Sequence, residues 1–302
     1  MEALTPAPGS LQIDATVGGG GHAQRILEAS TPDGRLLGLD ADQAAIARTR
    51  QRLGRFGDRA RLRQANFEQL AEVARAEGFT PVDGVLFDLG LSSNQLADHQ
   101  RGFSFRSDEP LDMRFDTSRG KPAAQVLAEL DEDGLTDIFR RYGEEPQARR
   151  IAREIVVRRD QQPIISGTQL AALVERVARR PPAGRRRRIH PATRVFQALR
   201  IHVNRELETL AEALQAAVEL LGPDGRLAVI SYHSLEDRIV KRFIAQERRG
   251  CICPPELPAC VCGRTPRLVP LGAQPQRPSD AEVAANPRAR SARLRAARRL
   301  AP

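Results

Sequence analysis

Four consecutive glycines, Gly18 to Gly21, follow a short apolar run ending in an acid, Leu11-Gln-Ile-Asp14, and lead directly into His22. A turn without Cβ atoms lets the backbone close on a ligand, and the helix start behind it favours a ligand carboxylate or phosphate. A second run, Arg35-Leu-Leu-Gly-Leu-Asp40, ends in an acid positioned to accept hydrogen bonds from both hydroxyls of a ribose. Asp88, at the end of a later run, faces cofactor and substrate in this reading, and Phe67 flanks an adenine. Each has a plainer alternative: a packing turn at the glycines, an ordinary helix N-terminal residue at His22, a turn cap at Asp88, a core aromatic at Phe67. Gly18-x-Gly20-x-x-Ala23 also meets the relaxed dinucleotide fingerprint, so these residues suit a nicotinamide cofactor equally well.

A second chemistry lies in Cys251-Ile-Cys253-Pro-Pro-Glu-Leu-Pro-Ala-Cys260-Val-Cys262, which holds all four cysteines. Reduced thiols clustered in this way are soft metal ligands, or else free thiols in a proline-stiffened loop. No metal is assigned to the reaction itself.

Such residues act together only if a sheet gathers them. Apolar runs ending at Asp14, Asp40, Asn66 and Leu89 alternate with helix-like stretches, with Asp42 as a helix cap, and this predicts a parallel sheet covered on both faces. From about Phe103 to His190 the periodicity is helical only. Alternation then resumes with the stripe Val195, Leu199, Val203, Leu207, Leu210 and Leu214 on one helix or two. Arg226-Leu-Ala-Val-Ile-Ser231 reads as a fifth strand, with a capping box between Ser234 and Asp237 behind it. The fold class expected is Rossmann-like α/β with an inserted helical domain: residues 1–102 and 191–302 form the sheet domain and 103–190 the insertion.

The chain has 302 residues, 41% hydrophobic and 28% charged, which excludes a small disulfide scaffold and general disorder. No stretch reaches the roughly 20 apolar residues of a membrane span, and the start lacks a signal peptide, so a cytoplasmic protein is expected. The net charge of +9 comes from arginine patches at Arg185 to Arg188, Arg248-Arg249 and the end from Arg288 to Arg299. Such patches suit phosphate backbones, and equally a solvated surface.

Asp14-Ala-Thr-Val-Gly-Gly-Gly-Gly-His22, Asp88-Leu-Gly-Leu-Ser-Ser93, Arg101-Gly-Phe-Ser-Phe105, Pro110-Leu-Asp-Met-Arg114, His190-Pro-Ala-Thr-Arg-Val-Phe-Gln-Ala-Leu-Arg200, Ser231-Tyr-His-Ser-Leu-Glu-Asp-Arg238 and Asn286-Pro-Arg-Ala-Arg-Ser-Ala292 together resemble the bacterial MraW (RsmH) family. The resemblance implies an S-adenosylmethionine-dependent methyltransferase acting on the N4 amine of a cytidine in the decoding region of small-subunit ribosomal RNA, naked or in the assembled subunit. It implies cofactor contacts from Gly20, Gly21, His22, Asp40, Phe67, Asp88 and Gln95, and a helical substrate domain; Arg185 to Arg188 and the adjoining helix face, which border that insertion, are expected to contact RNA phosphates. Family members carry a segment resembling His-x-Pro-Val-Leu ahead of the glycine turn, so a truncated or misassigned start is expected here; if that segment closes the cofactor cleft, this form binds cofactor more weakly. Val17 stands where Phe or Leu is usual. Many amino-methyltransferases place an acid or amide before Pro-Pro-aromatic after the fourth strand, whereas this chain has Asp88-Leu-Gly-Leu. Asp88 is therefore the catalytic candidate, with the Asp88 to Ser92 turn orienting the amine and Asp112 and His233 as secondary candidates.

Overall fold

The computed structural model describes residues 1–92, 95, 101–105, 108–178, 190–249, 251–254 and 256–301. The chain forms two compact units, Met1–Gly90 with Leu207–Pro302, and Leu91–Glu206.

The first unit is built on seven strands: β1 (Leu11–Asp14), β2 (Arg35–Asp40), β3 (Ala60–Gln64), β4 (Val82–Asp88), β5 (Leu221–Ser231), β6 (Leu268–Pro270) and β7 (Arg293–Arg299). Their order is β3-β2-β1-β4-β5-β7-β6, parallel through β5, with β7 antiparallel to both β5 and β6. Because strand side chains alternate faces, the continuous apolar runs serve two cores. Leu36, Leu86 and Ala228 join Ile26 and Leu27 of α1 (Gly21–Ala29) and Ile46 and Leu53 of α2 (Gln43–Leu53). Their neighbours Leu37, Val85, Phe87, Leu227 and Val229 pack on the opposite face, with Leu70 and Ala74 of α3 (Leu70–Ala76). Each fully buried leucine or isoleucine contributes roughly 1.5–3 kcal/mol. Asp42 caps α2 as expected, accepting from the Ala44 N–H at 2.9 Å.

The basic end behaves differently from its sequence reading. Arg293–Arg299 is an interior strand of the sheet, and its charges have partners within the protein: Arg293 and Arg295 donate to Asp237, Arg298 pairs with Asp224, and Arg299 donates to the carbonyl of Val218. Glu236 turns back to accept from the Tyr232 N–H at 2.9 Å, while Asp237 faces the two arginines. Burial raises the Asp237 carboxyl, but Arg295 and Arg293 outweigh it and hold it below its ordinary value. Asp237→Ala leaves buried Arg295 without its carboxylate, and is expected to cost about 3–5 kcal/mol in chemical denaturation; a loss under about 1 kcal/mol would show that the pair is not needed to seat β7.

The second unit is helical: α4 (Ala123–Glu129), α5 (Glu132–Arg141), α6 (Ala148–Arg159), α7 (Gly167–Val177) and α8 (Thr193–Asn204). Stripes at helical spacing, Leu135 with Ile138 and Phe139, Ile151 with Ile155, and Leu170 with Leu173 and Val174, converge on one core. Ser166 and Gln169 form a capping box at the start of α7. This unit extends past the 103–190 span because Val195 and Leu199 of α8 belong to its core. The long stripe is two helices, α8 and α9 (Glu206–Leu220), broken at Arg205, whose left-handed φ of 51° ends α8 where the units divide. Among the described residues no helix is long and apolar enough to cross a membrane.

Candidate nucleoside-binding site

The glycine turn is bolted from three sides. The Gly18 N–H donates to Asp40 at 2.8 Å, the Thr49 hydroxyl donates to the Gly18 carbonyl at 2.8 Å, and Arg52 donates to the Gly19 carbonyl at 2.9 Å. Gly20 has φ 76°, and a Cβ there would lie 2.9 Å from Thr49 Cγ2, so no other residue fits without displacement. At Gly21 the same construction meets nothing within 4 Å. Gly21 and His22 open α1, where backbone N–H groups have no carbonyl one turn earlier within the helix. The turn thus presents donors beside open space.

Asp40, at the end of β2, accepts from Gly18 through one oxygen and from the Asp42 N–H at 2.9 Å through the other. An ionised carboxylate has about four acceptor positions, so two remain for a diol. Asp14, at the end of β1, is almost fully buried; one oxygen accepts from the Thr16 N–H at 3.2 Å and the other, Oδ2, has no hydrogen-bond partner among the described residues. A buried carboxylate oxygen without a donor marks a place for a cation or N–H group. Burial pushes Asp14 up to about 7, against the opposing pull of His22, and burial likewise pushes Asp40 up to about 6.

These values give a sign. A carboxyl raised above its unfolded value of about 4 favours the folded protein when protonated, so its contribution is complete at low pH and is lost as pH rises toward 7. Asp14→Asn does not titrate. In the absence of ligand, the variant's stability relative to wild type is therefore expected to rise between about pH 4 and pH 7, by up to about 4 kcal/mol. A difference that stays flat in paired denaturation curves would refute the buried carboxyl.

Asp88, at the end of β4, is the centre of a polar cluster. Its Oδ1 accepts from the Tyr232 hydroxyl at 3.0 Å, its Oδ2 lies 3.3 Å from His22 Nδ1, and its own N–H donates to the Thr16 hydroxyl at 2.6 Å. The hydrogen bond to Asp88 raises the His22 imidazole above its ordinary value, favouring imidazolium, with Nδ1–H donating. Burial, then Asp88, raises the Tyr232 phenol, which stays protonated as a donor.

The remaining candidates divide. Phe67 is half-buried at the start of a short 3-10 helix, edge-on to Phe87 with centroids 6.1 Å apart, so part of its ring is core. Gln95 belongs to the helical unit, buried, accepting from the Ser92 N–H at 2.9 Å. Asp112 is engaged by Arg114 at 2.7 Å, the structural alternative, and both ring nitrogens of His233 face Glu236 at the start of α10 (Ser234–Arg249). Arg185 to Arg188 lie outside the described residues. Asp14, Thr16 and Tyr232 escaped the sequence reading as site groups, although the rule that found Asp40 and Asp88, an unusual polar residue at a strand's carboxyl end, also marks Asp14 and Tyr232.

Three carboxylates around one glycine turn suit a ligand with a ribose and positive charge and oppose a pyrophosphate. S-adenosylmethionine carries a ribose diol, an ammonium and a sulfonium, which fits the spare acceptors of Asp40 and the unpartnered oxygen of Asp14. Dinucleotide folds use six parallel strands in the order 3-2-1-4-5-6, whereas here an antiparallel β7 is inserted beside β5. Sheet and site together define an S-adenosylmethionine-dependent methyltransferase. A model of the MraW methylase family matches residues 1–300, and the chain belongs to that family. A protein of Thermomicrobium roseum named ribosomal RNA small subunit methyltransferase H is 57% identical over 298 residues, covering 99% of this chain and 90% of its own length. Proteins of the same name from Syntrophotalea carbinolica and Symbiobacterium thermophilum are 54% and 51% identical, each covering 99% of this chain, and 95% and 94% of their own lengths.

Proposed function

We propose that this chain transfers the methyl group of S-adenosylmethionine to the exocyclic N4 amine of a cytidine in small-subunit ribosomal RNA, in the cytoplasm, with the RNA or the assembled small subunit as partner. The observation that carries this reading is the set of carboxylates at the ends of β1, β2 and β4 around the glycine turn. The names of the relatives support the substrate class.

Bound S-adenosylmethionine supplies an electrophilic methyl group on a sulfonium. The protein's part is to hold donor and acceptor in line. Asp40 accepts the ribose hydroxyls, Asp14 accepts the ammonium, the Gly20, Gly21 and His22 segment lines the methionine end, and Phe67 flanks the adenine. The cytosine amine is a poor nucleophile because its lone pair is delocalised into the ring, so the base must leave its stack and its N–H groups must meet acceptors. Asp88 provides the acceptor. Tyr232 and His22 each hold one of its oxygens, leaving lone pairs directed by those contacts, and Asp88 takes the amine proton as the new bond forms. The helical unit with Arg185 to Arg188 holds RNA phosphates.

Calorimetry tests the cofactor half: S-adenosylmethionine and S-adenosylhomocysteine bind, and NAD does not. Labelled methyl then enters small-subunit RNA rather than large-subunit RNA. NAD binding without S-adenosylmethionine binding would return the site to a dehydrogenase, and absence of both would leave an RNA-binding protein with a relic fold.

A further inference from the structure

Between α10 and β6 the chain runs for 18 residues without a strand or helix among the described residues. Its base is fixed. Glu247, fully buried, accepts from Arg264 at 2.8 Å and from Arg267 at 2.5 Å, and the Arg267 N–H donates to the Glu247 carbonyl at 2.9 Å. Its tip buries almost nothing: Ile252, Leu257 and Val261 are 54%, 44% and 77% exposed. A segment this short, with its apolar side chains in water, has no core to hold one conformation.

The four cysteines nevertheless converge, with all their Sγ atoms within 4.8 Å of one another. Cys251 and Cys262 lie 3.5 and 3.5 Å from Cys260, Cys253 lies 4.0 Å from it, and Cys262 lies 3.9 Å from Cys251. Disulfide sulfurs stand about 2.05 Å apart, so none of these is a disulfide distance. Four thiolates at about 2.3 Å from a tetrahedral zinc ion stand about 3.8 Å from each other, which is the spacing seen here. The Val261 N–H points at Cys253 Sγ at 3.4 Å, the kind of donor that stabilises a metal-bound thiolate.

We propose that Cys251, Cys253, Cys260 and Cys262 bind one zinc ion as a closed structural site that staples this loop. Four protein sulfurs complete a tetrahedral shell and leave no open position, so the ion takes no part in methyl transfer. Two Cys-x-Cys pairs, one on each arm of the loop, cross-link arms whose Ile252, Leu257 and Val261 side chains are exposed.

The full-length protein, produced without a histidine tag, is assayed for metal, with thiol alkylation by a maleimide and trypsin digestion followed in parallel. The expected result is about one zinc per chain, with thiols slow to alkylate and the segment 248–264 resistant to cleavage until a strong chelator is added. The Cys251→Ser, Cys260→Ser double variant is expected to hold no zinc and to be cleaved there while keeping its affinity for S-adenosylmethionine, which separates loss of the staple from unfolding. Reduced wild-type protein that takes no Zn²⁺ in competition with a chromophoric chelator overturns the site, as does a double variant with undiminished zinc. Iron in place of zinc overturns the assignment of the ion. Alkylation rates unaffected by chelator overturn the proposal on wild-type protein alone.

Discussion

Asp88→Asn is expected to lower the single-turnover rate of methyl transfer by about 10²–10⁴-fold while changing the Kd for S-adenosylmethionine by less than about tenfold. The amide has nearly the carboxylate's shape, so the Tyr232 hydroxyl still finds an acceptor at 3.0 Å. Its NH2 group, however, faces either the His22 ring, whose imidazolium form also donates, or the amine that needs an acceptor. The substitution therefore removes proton acceptance and leaves most ground-state contacts, which places the loss in the chemical step. Tyr232→Phe, affecting only the orientation of Asp88, is expected to cost less than about tenfold, of the order of one hydrogen bond. Full turnover by Asp88→Asn with normal cofactor affinity would remove Asp88 from the mechanism.

The second large effect is on binding. Asp40→Ala deletes the acceptors of the Gly18 and Asp42 N–H groups as well as those offered to a ribose. Hydrogen bonds to a charged group contribute about 1.5–3 kcal/mol each, so the affinity for S-adenosylmethionine is expected to fall by about 100-fold or more. Turnover at saturating cofactor should recover in large part, because Asp88, Tyr232 and His22 are untouched. Calorimetry and saturation kinetics distinguish this from Asp88→Asn, where binding survives and the rate does not. An unchanged Kd in Asp40→Ala would mean that the ribose lies elsewhere.

Much of this arrangement is legible in the sequence because its signals are local. A strand that is buried on both faces must be a continuous apolar run, and the ligand end of a parallel sheet is its carboxyl end, so Asp40 and Asp88 follow from where the runs stop. The helical unit follows from stripes such as Leu170, Leu173 and Val174. The antiparallel pair is not legible in the same way. Arg293–Arg299 contains four arginines around Ala296 and Ala297, which locally resembles a solvated charge run, and its acceptors lie 56 to 81 positions away along the chain. The Asp88 cluster is equally non-local, with Tyr232 144 positions further on. Asp14 looks in sequence like the end of one more core strand; only the buried, unpartnered Oδ2 separates it from a structural acid.

The most direct test of the central claim is transfer of labelled methyl from S-adenosylmethionine to small ribosomal subunits lacking their cytidine N4 methylation, with nucleoside analysis of the RNA. Label in N4-methylcytidine, formed by wild-type protein and lost in Asp88→Asn, is the expected result. Label confined to any other nucleoside, or none from protein that binds the cofactor and is presented with both naked RNA and assembled subunits, would contradict it.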